Sequence, residues 1–317
     1  MENKSIYRTF CESEKRLPLF FQAWWLDIIT DGNWNVAIST EKNGVIRAVM
    51  PYSWSKKYGK RFLLQPMLTP YLGIFFFYPD DLKNTTSKYS FENEHTSNII
   101  DQLPKNSLMQ SFNFNIDYTN WYPFYKVDYQ QTTRYTHILE DIKNHENIFS
   151  GFTNTLRRQI NQAKMDFKIE ESNDIHVVFS MLKDRLSQKK VKFAIDNQTL
   201  TNIDAKLEAL NQRKILVSKN KTGEIIAGLY ICWDAKYAYL LGLGMTQKDK
   251  TANSIKLLIW ESIRIASEYV DKYDFEGSMA PEIERLYRMF GSTKVPYFEI
   301  KKYKNKMVKL GLNIINK

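Results

Sequence analysis

Two strand-like runs, Lys214 to Lys219 and Glu224 to Trp233, flank the tetrapeptide Asn220-Lys221-Thr222-Gly223, and a third run, Tyr237 to Met245, follows closely. Apolar runs joined by a short Asn/Gly turn fold back on themselves, so this stretch predicts a three-stranded meander. Its surroundings narrow the choice of fold. Upstream, Phe149, Phe152, Leu156, Ile160 and Ala163 recur at helical spacing and predict a helix over about 146–164. Ile175, Val178, Phe179, Leu182 and Leu186 mark a second helix, and Leu200, Ile203, Leu207 and Leu210 a third.

Downstream of the meander, Ile255, Leu258, Ile259, Ile263 and Ala266 predict a long helix that starts near Asn253 or Ser254, both suited to an N-cap. A strand from Lys272 to Glu276, a helix from Pro281 to Phe290 and a strand from Pro296 to Lys301 complete the order. The short helix is well punctuated. Ser278 or Ala280 precedes Pro281, Glu282 and Glu284 fall in its positive first turn, and Gly291 suits a left-handed C-cap. This order is neither a doubly wound dinucleotide fold nor a barrel. No GxGxxG or GxxxxGK[ST] motif occurs, which removes the usual phosphate-loop readings.

The first half reads less sharply. A helix is expected at about 18–29, opened by Leu17-Pro18-Leu19 and closed by Asp31-Gly32. Trp34 to Thr40 and Val45 to Ser53 flank Glu41-Lys42-Asn43-Gly44, a second hairpin signal. Arg61 to Gln65, Tyr71 to Phe77, Leu108 to Phe114 and Gln130 to Leu139 add strands, with a weak helix near 90–102. The aromatics Trp24, Trp25, Trp34, Trp54 and Phe75 to Phe77 are expected to build the core rather than to stack on sugars or bases. The fold class is therefore α/β (α+β). At 317 residues a single core is near its usual limit, and two domains, 1–145 and 146–317, are expected.

Charge is unevenly divided between these halves. Residues 1 to 145 hold 16 Lys/Arg against 15 Asp/Glu, and residues 146 to 317 hold 29 against 20. An anionic ligand would thus meet the second half: coenzyme A, tRNA, a nucleotide sugar or an anionic lipid headgroup all fit, and so does a lysine-rich surface that merely solvates the protein. The two cysteines, Cys11 and Cys232, have no Cys or His at metal-ligand spacing, so neither a disulfide framework nor a metal site is expected. The N-terminus lacks an apolar leader, and the longest apolar run, Tyr71 to Tyr78, is too short to span a bilayer. A soluble cytoplasmic protein is expected.

The run Tyr273-Asp274-Phe275-Glu276-Gly277-Ser278-Met279, followed by Glu284-Arg285-Leu286-Tyr287-Arg288-Met289-Phe290-Gly291, resembles the "DFEGS … fyrkFG" signature of Fem-like (methicillin-resistance-protein-like) members of the GNAT superfamily. Leu258 to Ile263, and Leu156 to Ile160 with Ala163-Lys164, are similar to further stretches of that family. The resemblance implies two tandem GNAT-like domains, each a mixed, mostly antiparallel sheet flanked by helices. It also implies transfer of an acyl or aminoacyl group to an amine of a small molecule or cell-envelope precursor. Members of the family use either aminoacyl-tRNA, to extend cell-wall precursors, or acetyl-CoA and other acyl-CoAs. Two features depart from the pattern. The turn Thr246 to Asn253 lacks the Arg/Gln-x-x-Gly-x-Gly/Ala element that wraps coenzyme A pyrophosphate, and no heptad-patterned helical arm is visible. A third reading, a catalytically inactive fold that binds a polysaccharide or lipid intermediate, stays open. A DNA partner is not expected.

Acyl transfer to an amine needs a base, a place for an oxyanion and an acid for the leaving group. Asp274 and Glu276, two apart on an expected strand, would share a face and could raise one another's pKa; alternatively one caps the following helix and the other pairs with Arg285 or Arg288. Tyr239, on the strand before the long helix, is a candidate acid or a packing residue. Lys248 and Lys250, with the helix start at Asn253 and Ser254, could hold phosphate, or form a solvated turn. Arg157 and Arg158 could face a cleft or lie on an exposed basic face, and Arg285 and Arg288 are neighbours on the short helix. The four histidines form no triad or HExxH arrangement.

Overall fold

The computed structural model describes residues 2–57, 59–82, 84–277 and 279–315, with the side chains of 57 and 312–315 left aside. Ser278, one expected cap, lies outside the described residues. The chain divides into two compact units, one of Met1–Arg134 with Pro296–Lys317 and one of Tyr135–Val295.

The first unit begins with α1 (Glu2–Ser13) and α2 (Ala23–Ile29), then β1 (Trp34–Thr40), β2 (Ile46–Lys57), β3 (Lys60–Leu63) and β4 (Phe75–Phe76). It continues with α3 (Thr85–Gln102), β5 (Met109–Asn113), α4 (Tyr122–Lys126) and the start of β6 (Gln130–Leu139). The expected helix at 18–29 is broken: Leu19–Phe21 forms a 3-10 turn and Gln22 is extended, so α2 starts only at Ala23. The Asn43-Gly44 hairpin is present as an antiparallel β1–β2 pair, with Gly44 at φ +85°. Trp25, Trp34 and Phe77 are buried, and the Trp25 indole donates to Thr69 Oγ1 at 3.0 Å.

The second unit holds the rest of β6, then α5 (His145–Gly151), α6 (Asn154–Asp166), β7 (Phe167–Ser172), α7 (Ile175–Gln188) and α8 (Asn197–Ala209). The meander follows as β8 (Arg213–Asn220), β9 (Ile225–Trp233) and β10 (Tyr237–Met245), then α9 (Asn253–Ala266), β11 (Lys272–Asp274) and α10 (Pro281–Met289). Its sheet runs β6-β11-β10-β9-β8-β7, antiparallel except for the β10–β11 pair. The single helix expected over 146–164 is two helices. The chain extends at Phe152, and the Thr153 side chain accepts from Leu156 N–H to start α6. Leu156, Ile160 and Ala163 of α6 and Leu258, Ile259 and Ile263 of α9 share the core with the inward face of β9. On the other side α7 lies unusually close to the strands: a Cβ on Gly244 would sit 2.6 Å from Val178 O, and one on Gly242 2.8 Å from the Phe179 ring.

The last strand, β12 (Thr293–Tyr303), and α11 (Lys306–Ile315) close the chain. From Glu299 onward β12 pairs antiparallel with β5, Glu299 opposite Asn113 and Tyr303 opposite Met109, completing the first unit's order β1-β2-β3-β5-β12. The division of the chain therefore falls at Arg134 and Val295 rather than at one cut near 145. Partner choice between strands so distant in sequence leaves no local pattern to read.

Candidate functional site

Within the second unit, β10 and β11 run parallel and pair only over Tyr237–Tyr239 and Lys272–Asp274. Beyond that point β11 stops while β10 continues to Met245. The stop has a local cause. Asp274 turns its carboxylate back on the chain, Oδ1 accepting the Glu276 N–H at 2.8 Å and the Thr136 hydroxyl at 2.5 Å. Glu276 takes the left-handed conformation at φ +53°, and Phe275 N–H donates to His137 O. Gly277 follows with no room for a side chain, since a Cβ there would lie 2.0 Å from Tyr135 O. The expected strand Lys272–Glu276 thus ends two residues early, and Asp274 and Glu276 do not sit as alternate positions of one strand. β10 adds a bulge at Leu241: Leu240 opposes Ile231 and Gly242 opposes Tyr230.

Where the two strands part lies a cavity of 510 Å³ lined by residues of α7, β10, α9 and α10 together with Phe275, Glu276 and Gly277. Glu276 Oε1 is sealed from solvent and has no hydrogen-bond partner among the described residues. Burial pushes this carboxyl well above the ordinary carboxylate range, and the nearby Asp274 charge adds to the effect. Tyr287 also lines the cavity; burial, then the Glu276 and Asp274 charges, push its pKa up, so it is a protonated phenol at working pH. Arg185, Arg285 and Lys256 supply positive charge to the lining. Lys256 Nζ donates to Thr251 O and Asn253 Oδ1, each at 2.9 Å, and burial lowers its pKa against the opposing pull of Asp249. The β10 edge beyond Tyr239 has no partner in β11, so its peptide groups border the cavity.

The structure gathers only some of the expected site residues here. Glu276 and Arg285 line the cavity; Asp274 is buried behind them as the acceptor that shapes the turn. Tyr239 is not among the lining residues, and its hydroxyl donates to Asp234 Oδ2 at 2.9 Å. The start of α9 departs from the phosphate-binding expectation for a clear reason: the protein supplies its own anion. Asp249 Oδ2 accepts Ser254 N–H at 2.8 Å, and Oδ1 accepts from the Thr251 amide and hydroxyl. Burial would raise the Asp249 pKa, but these hydrogen bonds outweigh it and hold the group ionised. Ala252 at φ +53° precedes the helix in place of an Asn or Ser cap; Ser254 is buried and Asn253 is tied to Lys256. Lys248 pairs with Glu224, and Lys250 is exposed. Arg157 is held by Ser150 O and Asn154 Oδ1, Arg158 is exposed, and Arg288 lies 3.9 Å from Glu284; none of these three lines the cavity.

Sequence reasoning overlooked Arg185, Lys256 and Tyr287. Tyr287 stands in the run that resembles the Fem-like signature, with no role attached to it there. Arg185 sits on the polar side of the α7 periodicity, which carries no hint of what that side faces. Among the described residues, no group of three or more His, Cys, Asp or Glu is arranged to hold a metal ion. Among the described residues, no helix is long and apolar enough to cross a membrane.

Among solved structures, FemX superposes over 93% of this chain and 95% of its own, with a TM-score of 0.64 and 11% identity. The chain has a Fem-like GNAT fold. The same fold relates it to L-PGS from Bacillus licheniformis (TM-score 0.54, 12% identity, covering 98% of this chain and 95% of that one). It also relates it to a tandem GNAT protein from the clavulanic acid biosynthesis pathway (TM-score 0.51, 7% identity, 86% and 83%). No family model matches the sequence, and no curated protein matches it. At these identities the likeness is one of fold. In Fem-like GNAT terms, the expected mixed sheet flanked by helices is present in this chain, with the β10–β11 opening inside the second unit.

Proposed function

We propose that this chain transfers an acyl group from an activated carrier to an amine, with Glu276 as general base. The observation that carries this reading is the sealed, unpartnered Glu276 Oε1 beside the opening between β10 and β11. A carboxyl with a raised pKa is a stronger base than an ordinary one, which matches it to an amine that arrives protonated. Glu276 first takes one proton from the ammonium and passes it to solvent, which frees the nitrogen lone pair, and then takes the second as the neutral amine attacks and the new C–N bond forms. The carbonyl π pair moves onto oxygen, which meets N–H groups on the free β10 edge. Collapse breaks the bond to the carrier, the departing thiolate or alkoxide takes the Tyr287 phenol proton, and that proton is replaced through Glu276 and solvent.

The leading donor is an acyl-CoA-type thioester, its phosphates met by Arg185 and Arg285 rather than by the α9 amides. Asp249 favours a second reading, an aminoacyl-tRNA ester, because that helix start already holds a carboxylate. The acceptor class is an amine on a small molecule or a cell-envelope precursor. Assays with acetyl-CoA, longer acyl-CoAs and charged tRNA, each with an amine acceptor, are expected to give turnover with one donor class that Glu276→Gln abolishes. Turnover equal in wild type and Glu276→Gln would overturn the reading.

A further inference from the structure

The cavity is far larger and more apolar than an acetyl group needs. Leu182 and Leu186 of α7, Leu243 and Met245 of β10, Ile255 of α9 and Leu286 of α10 all line it. Ile255 is buried, but the other five are only partly buried although they belong to packed elements, so apolar surface is left over beside the open volume. Such surface is covered at a gain only by an apolar ligand group, at about 0.8 kcal/mol per buried methylene, or roughly fourfold in affinity for each. An acetyl methyl would touch one or two of these side chains. At roughly 30 Å³ for each water, 510 Å³ corresponds to about 17 waters, the space of a chain many carbons long.

The polarity of the lining is graded. Leu240, Leu241, Phe275 and Tyr287 are among the buried members, with Lys256 buried and Glu276 Oε1 sealed beside them, whereas Arg285, Lys189 and Glu282 are exposed, with Lys189 paired to Glu282 at 2.7 Å. A charged carrier group at the exposed end and an apolar tail along the leucines would satisfy both. We infer that the acyl group this protein carries is a long, unbranched aliphatic chain. The aliphatic lining favours such a chain over an aromatic side chain, because a ring would leave most of the length unfilled. The inference rests on the acyl-transfer reading of Glu276, but it is tested separately from it.

The test uses the full chain and a dansyl-labelled fatty acid, displaced by neutral linear alcohols from ethanol through octanol to dodecanol. Alcohols avoid charge repulsion from Glu276. Affinity is expected to rise by roughly fourfold per methylene until the cavity is full, then to level off. Leu186→Trp, on the half-buried face of α7, is expected to fold with an unchanged melting temperature and to move the plateau to shorter chains. No increase from ethanol to octanol, or 2-phenylethanol binding as tightly as octanol, would overturn the inference. So would a plateau that Leu186→Trp leaves unmoved. Length-dependent binding without turnover of any acyl donor would sustain the chain site and remove the transferase reading, so the two failures are distinguishable.

Discussion

Asp274 accepts the backbone N–H of Glu276 two residues on, at 2.8 Å, and this one hydrogen bond links the end of a strand to the orientation of a buried carboxylate. The same oxygen accepts from Thr136, so a single buried acceptor satisfies two donors. Asp274→Ala leaves both without a partner and is expected to destabilise the protein by about 1–3 kcal/mol. The check is chemical denaturation. Thr136→Val, which removes only one donor, is expected to cost less.

Glu276→Gln is expected to lower transfer by roughly 10²–10⁴-fold, the usual contribution of a general base, measured as kcat/KM with the active donor. Its effect on stability has the opposite sign. A carboxyl whose pKa is raised by folding binds its proton more tightly in the native state, so wild-type stability falls as pH rises from the ordinary carboxylate range through the raised value. Glu276→Gln removes that slope. Melting temperatures should converge below the ordinary carboxylate range and favour the variant at higher pH; parallel curves would contradict the burial argument.

Gly277→Ala is expected to damage both stability and activity. A Cβ 2.0 Å from Tyr135 O cannot be accommodated without moving backbone, and the turn that presents Glu276 is the part free to move. A cost of about 1–3 kcal/mol is expected from thermal melts, with residual activity well below what the stability loss alone predicts at a temperature where the variant is folded.

Asp249→Ala should cost about 0.5–2 kcal/mol through loss of the α9 cap. Its hydrogen bonds hold the Asp249 carboxyl below its ordinary pKa, so the stability it contributes is present above the unfolded-state value and is lost as pH falls through the folded one. The variant also frees the Ser254 amide. If the donor is an acyl-CoA, free coenzyme A should bind the variant at least as tightly as the wild type, read by calorimetry. Lys248→Ala, which removes an exposed pair with Glu224, is expected to change neither stability nor donor affinity measurably.

Periodicity and turn chemistry were enough to read the meander β8–β10, the helices α7 to α10 and the class of fold, because each signal is local. Alternation and helical spacing report which side of an element is dry, and Gly44 and Gly223 report where the chain must reverse. The breaks at Gln22 and Phe152 and the whole of β7 escaped that reading, since a short extended segment between helices has too few residues to show a period.

The sequence by itself determined that Asp274, Glu276 and Gly277 would stand together at the end of a strand and ahead of a short helix. Only the tertiary structure decided that Glu276 faces the cavity while Asp274 serves the backbone, that Asp249 fills the start of α9, and that β12 completes the first unit beside β5. The reason is physical. Which of two carboxylates is left unpartnered depends on donors that fold in from Thr136 and on the room left at Tyr135, and those groups lie far away along the chain.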